Sequence, residues 1–323
     1  MPAFAPRRRS PAARLLALAL ALSLPLAAQG GPLLDRLIER RAERQAAAER
    51  QDAAPATALP AGARLLRDQP YGSDPRQRMD VYLPARAQGA PVIFMVHGGA
   101  WRTGDKGAAA VVDHKVARWL ARGVAFVSVN YRLLPQAGPL QQAQDVARAL
   151  ATAQAHAAEW GADPARFVLM GHSAGAHLVA LLAAAPEMPR AAGARPWLGS
   201  VALDSAAFDV PQIMAGRHLP LYDRAFGQDP VYWRQTSPFH ALQRASAPLL
   251  AVCSTRRADA CPQAQRFAAR QTALGGRAQV LEEDLSHREI NADLGRDGAY
   301  TASVERFLAG LDATLGERLA APR

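Results

Sequence analysis

The chain has 323 residues, 50% of them hydrophobic and 20% charged, with a formal charge of +10 and two cysteines. That length and apolar content supply one large core, and α/β chains of this size commonly form a single domain. The positive excess is not gathered into a Lys-rich or aromatic-interleaved patch, which argues against nucleic acid as a partner and assigns the charge to solubility.

Residues 1–30 carry the pattern of a secretory signal: Arg7, Arg8, Arg9 and Arg14, then an apolar run from Leu15 to Leu26, then Ala27, Ala28 and Gly30. The run is about a dozen residues, short of the roughly 20 that cross a bilayer. Cleavage and export to the periplasm or beyond are therefore expected, without stable membrane insertion. Ser10 and Pro11 follow the arginines where a twin-arginine signal would have apolar residues, so general export is the expected route. In the segment 31–62, Leu34, Leu37 and Ile38 recur at helical spacing among Arg and Glu, and an Ala/Pro-rich stretch follows; a surface helix and a linker are expected. The remainder, 63–323, is expected to be the catalytic domain.

In that domain short β-branched runs alternate with longer helical patterns, the signature of a mostly parallel sheet covered by helices. Eight strands are predicted: Ala63–Arg67, Met79–Leu83, Pro91–His97, Val124–Tyr131, Arg166–Met170, Gly199–Leu203, Pro248–Cys253 and Ala278–Glu282. Unbroken apolar runs such as Val92-Ile93-Phe94-Met95-Val96 suit strands buried on both faces. Helices are predicted over Val111–Arg122, Pro139–Trp160, Ser173–Ala185, Pro262–Leu274 and Thr301–Leu315. The stretch 207–241, rich in proline and aromatics, breaks this alternation and is expected to be an insertion over the sheet.

Between the fifth strand and an alanine- and leucine-rich helix stands Gly171-His172-Ser173-Ala174-Gly175. A serine on so sharp a strand-to-helix turn projects its hydroxyl above the sheet, at the positive end of a helix, and needs small flanks to avoid clashes. Ser173 is thus the candidate nucleophile. Upstream, His97-Gly98-Gly99-Ala100-Trp101 follows a strand end, where backbone amides can face a developing oxyanion; the candidate donors are Ala174 with Gly99 or Ala100. His97 is expected to brace that loop. A serine hydroxyl needs a base, and of the eight histidines His287 alone follows the last strand in a polar loop. The acid that orients it is sought after the seventh strand, where Asp259 is the carboxylate available; Asp204, Asp209, Glu283 and Asp284 are its rivals. Trp101 and His172 are candidates for the substrate pocket. Cys253 and Cys261 bracket the Asp259 loop, and in an exported protein they are expected to form a disulfide.

Taken together, these residues resemble the α/β-hydrolase superfamily, and within it carboxylesterases of the hormone-sensitive-lipase-like and feruloyl-esterase-like branches. Trp101-Arg102-Thr103-Gly104-Asp105-Lys106, Asn130-Tyr131-Arg132-Leu133 and Gly171 to Leu178 also resemble kynurenine formamidase relatives. The resemblance runs from about Tyr71 to the C-terminus. It implies the order Ser, Asp, His along the chain and hydrolysis of a small-molecule carboxylic ester through an acyl-enzyme, needing no metal or organic cofactor. Cleavage of an aryl-formamide by the same residues is the alternative, and a non-catalytic binding protein with this fold is a third reading.

Overall fold

The computed structural model describes Met1 and residues 59–321; the signal-like segment and nearly all of the predicted helix and linker lie outside the described residues. The eight predicted strands are present, as β1 (Arg64–Pro70), β2 (Arg78–Leu83), β3 (Ala90–Val96), β4 (Ala125–Val129), β5 (Ala162–His172), β6 (Gly199–Leu203), β7 (Leu249–Ser254) and β8 (Ala278–Glu283). They form one sheet in the order β1-β2-β4-β3-β5-β6-β7-β8. The pairs β1–β2 and β2–β4 are antiparallel, and every pair from β4 to β8 is parallel. The fold class expected from the sequence is the one found.

The parallel strands are apolar throughout because both faces of the sheet are covered. Val92, Phe94 and Val96 of β3 enter one hydrophobic layer, while Ile93 and Met95 enter the other. Helices α1 (Ala109–Leu120), α2 (Pro139–His156) and α3 (Ala174–Ala184) follow β3, β4 and β5 in turn. All eleven residues of α3 are buried, which explains its alanines and leucines: no face of it meets water.

After a short α4 (Glu187–Ala191), the insertion folds as four short helices: α5 (Val210–Ala215), α6 (Pro220–Phe226), α7 (Pro230–Gln235) and α8 (Pro238–Ala241). Each begins with proline at its first or second position, where the missing N–H costs nothing. Then come α9 (Ala260–Ala273) after β7 and α10 (His287–Ala292) after β8. The single helix expected over Thr301–Leu315 is two, α11 (Ala299–Ala309) and α12 (Ala313–Ala320). Gly310 ends the first, and Asp312 caps the second by accepting from Leu315 N–H.

Candidate active site

The C-terminal ends of β3, β5, β6, β7 and β8 meet on one side of the sheet and carry the candidate residues. Ser173 joins β5 to α3 with φ 55° and ψ −117°, a left-handed conformation that costs a non-glycine residue about 1 kcal/mol or more. Its N–H donates to Leu203 O (2.9 Å) and its carbonyl accepts from His177 N–H (3.1 Å), so the turn is held from the next strand and from α3. The flanking glycines are obligatory for space. A Cβ on Gly175 would stand 2.2 Å from Val96 O, and one on Gly171 2.4 Å from Gly175 O.

The loop after β3 packs directly on this turn: a Cβ added to Gly98 would lie 3.0 Å from Ser173 Cβ. Gly99, Ala100 and Trp101 follow with φ of 113°, 51° and 59°. Two of these are strained, and their surroundings over-determine them. Gly99 O accepts from Arg102 N–H (3.0 Å) and Thr103 N–H (2.9 Å), while Trp101 O accepts from Leu134 N–H (2.9 Å) and the Gln142 side chain (2.8 Å). His97 braces the loop: its Nδ1 lies 2.7 Å from Gly98 O and its ring stacks on Tyr131 at 4.5 Å. Burial pushes the His97 imidazole down to about 4, so it is neutral. Asn130 ties the segment further, donating to Asp105 Oδ2 (2.8 Å) and accepting from Lys106 N–H (2.7 Å), which gives a physical reason for the paired motifs around 101–106 and 130–133.

His287 is the first residue of α10, not part of an irregular loop. Ser286 caps that helix in a reciprocal capping box with Glu289. His287 Nδ1 lies 2.5 Å from Asp204 Oδ2. Asp204, the residue after β6, also accepts from Ser254 N–H at Oδ1 (2.8 Å) and from Arg257 Nη1 at Oδ2 (2.9 Å). Its side chain has no solvent exposure. Burial alone would raise this carboxyl; the hydrogen bond from His287, the Arg257 guanidinium and Ser254 N–H outweigh burial and hold it well below the usual carboxylate range.

Three expectations are corrected here. Asp259 does not meet His287: it sits at the N-terminus of α9 with a side chain 53% exposed, 3.5 Å from Arg257 Nη2, and Arg257 occupies the space beside the imidazole. The carboxylate on the histidine belongs to Asp204. Trp101 is 3% exposed and does not offer a pocket wall; it packs among His177, Tyr222 and Phe226, its indole N–H donating to His177 Nδ1 (3.2 Å). The covering helix α6 of the insertion is what buries it. His172 is 1% exposed, with Nε2 2.9 Å from the His287 main-chain oxygen. Burial, then the neighbouring His287, push its imidazole well below the ordinary value. The cysteines are joined as expected, Cys253 to Cys261, with Cα atoms 5.1 Å apart.

Lys115 of α1 was not singled out by the sequence. It is buried, and its ammonium donates to Ala110 O (2.9 Å) and Asn291 O (2.5 Å), tying α1 to the helix that carries His287. Burial pushes its amine down to about 7. The unfolded chain therefore holds this proton between about pH 7 and 10.5 while the folded chain releases it, so stability rises with pH across that window. Lys115→Met removes that dependence: its stability relative to the parent is expected to be greatest at pH 7 and to decline by about 1 kcal/mol per pH unit up to pH 10. Urea unfolding at several pH values checks this.

The family model BD-FAE matches residues 79–195. A probable isoprenylcysteine alpha-carbonyl methylesterase, ICMEL1, from Oryza sativa subsp. japonica is 38% identical over 111 residues, covering 34% of this chain and 25% of that protein. Esterase LipC of Mycobacterium tuberculosis is 28% identical over 258 residues, covering 74% of this chain and 62% of LipC. The matched region thus spans a quarter to three-fifths of these relatives' own lengths. Among solved structures, esterase B from Lactobacillus rhamnosis superposes with a TM-score of 0.68 at 17% identity, covering 88% of this chain and 97% of that one.

Proposed function

We propose that this chain, whose fold is that of the α/β hydrolases, is a serine esterase cleaving small-molecule carboxylic esters. The observation that carries the proposal is the 2.5 Å contact between His287 Nδ1 and the buried Asp204 carboxylate, at the strand end next to the one that bears Ser173. Asp204 holds the imidazole with Nδ1 protonated, which leaves Nε2 free to take a proton. Ser173 Oγ attacks the ester carbonyl as His287 Nε2 accepts its proton. The tetrahedral oxyanion faces the amides of Ala174 and of Gly99 or Ala100. Collapse expels the alkoxide, which receives the proton from His287. Water then attacks the acyl-enzyme by the same route and frees the acid.

An Asp204 carboxylate that stays ionised is what this cycle needs, because it stabilises the imidazolium formed midway. The esterases among the relatives support the ester over the formamide as the scissile group. Hydrolysis of p-nitrophenyl acetate and butyrate, set beside N-formylkynurenine, tests the choice. The proposal expects kcat/KM at least tenfold higher on the esters, and the reverse order assigns the chain to the formamidases. We place its work outside the cytoplasm, on the strength of the signal-like residues 1–30 and the Cys253–Cys261 bond. A mature protein that retains Arg7 to Arg14 in the cytoplasm contradicts this placement.

A further inference from the structure

Beside the contact between His287 and Asp204 stands a third side chain, a guanidinium, that the mechanism above does not use. Arg257 lies in the loop between β7 and α9, and its Nη1 donates to Asp204 Oδ2 (2.9 Å) and to the Asp204 main-chain oxygen (3.1 Å). The same nitrogen is 3.0 Å from His287 Nδ1. Both nitrogens carry hydrogens directed at one carboxylate oxygen, so they are rival donors rather than partners of each other. Asp259 completes the surroundings of the guanidinium through an ion pair at 3.5 Å. The loop is pinned at both ends, because Cys253 in β7 is bonded to Cys261 in the first turn of α9.

We propose that Arg257 is a positioning residue of this site: it shares Asp204 Oδ2 with His287, fixes the carboxylate, and sets a positive charge beside the imidazole that weakens its hold on a proton. The proposal rests on the serine-esterase reading for its catalytic meaning, while the charge effect stands on geometry alone. Two consequences oppose each other. Asp204 favours the imidazolium and Arg257 disfavours it.

Among the described residues, Arg257 is a cation 3.0 Å from the His287 ring. Asp204 comes from the end of β6, His172 from the end of β5 with ring centres 4.5 Å apart, and Arg257 from the β7 loop. On α10 itself Glu289 is turned to Ser286 and to Arg256, and Arg256 also holds Asp284. Lys115 of α1 reaches the same helix at Asn291 O. Asp259 is ion-paired with Arg257 at 3.5 Å.

The test is an NMR titration of the His287 ring in the full chain, run in parallel with the pH dependence of kcat/KM on p-nitrophenyl butyrate. Arg257→Gln is expected to raise the His287 midpoint and the acid limb of kcat/KM together, by about one pH unit. Arg257→Lys, which keeps the charge, should stay within about 0.3 unit of the parent. Asp259→Asn should move both midpoints the opposite way, down by a few tenths, because it strips Arg257 of a counter-charge while leaving the triad intact. A midpoint unmoved in Arg257→Gln, with activity lowered at every pH, gives Arg257 a purely structural role and overturns the proposal. If the Gln variant does not fold, an Asp259→Asn midpoint that stays or rises overturns it instead. A parent chain that titrates as expected but hydrolyses no ester refutes the esterase reading and leaves the charge effect decided by the NMR midpoints.

Discussion

Asp204→Asn is expected to lower kcat for ester hydrolysis by about 10⁴-fold with little change in KM. The amide can present its NH2 to His287 Nδ1, which drives the ring proton to Nε2, the atom that must accept the serine proton. The same change leaves Arg257 facing a neutral group where it had a buried carboxylate 2.9 Å away. A stability loss of about 2 kcal/mol should accompany the loss of activity, less than is usual for a broken buried pair because Arg257 is partly exposed and keeps Asp259. Asp259→Asn is the matched control: exposed and 3.5 Å from Arg257, it should keep kcat within about threefold of the parent. Steady-state kinetics and thermal unfolding of the two variants separate the carboxylates cleanly.

Ser173→Ala should remove more still, about 10⁶-fold in kcat, because without the hydroxyl there is no acyl-enzyme and His287 has nothing to activate. Its melting temperature should stay near that of the parent. The turn is held by Ser173 N–H on Leu203 O and by His177 N–H on Ser173 O, main-chain bonds that alanine keeps. The burst of p-nitrophenol that marks acylation should vanish with the steady rate. A variant that loses the burst but keeps full turnover would mean another nucleophile.

Much of this was legible in the residues. The apolar runs of β3 and β5, the glycines around Ser173 and the polar segment after β8 identify the sheet, the serine turn and His287, because each depends on local pattern and on the order of strands. The acid was not legible. Strands β6 and β7 are neighbours, so a carboxylate at the end of either can reach a histidine after β8, and side-chain direction decides between them. Asp204 turns inward on a backbone with φ 54°, and Asp259 is carried outward at the N-cap of α9. Arg256-Arg257 was the signal available: two cations ahead of Asp259 leave the seventh strand end occupied by positive charge. The burial of Trp101 was hidden for a different reason, since it depends on where α6 settles. The helical start of His287 could have been read from Ser286-His287-Arg288-Glu289, whose ends match a capping box.

The most direct test of the account is labelling of the full chain with a fluorophosphonate, in which a serine oxygen displaces fluoride and keeps the phosphonyl group, followed by mass spectrometry of the peptides. The account predicts a single adduct, on Ser173, that blocks ester hydrolysis in proportion to its formation, disappears in Ser173→Ala and forms at least 10³-fold more slowly in Asp204→Asn. An adduct on another residue, or undiminished ester hydrolysis by a chain fully labelled at Ser173, would contradict it.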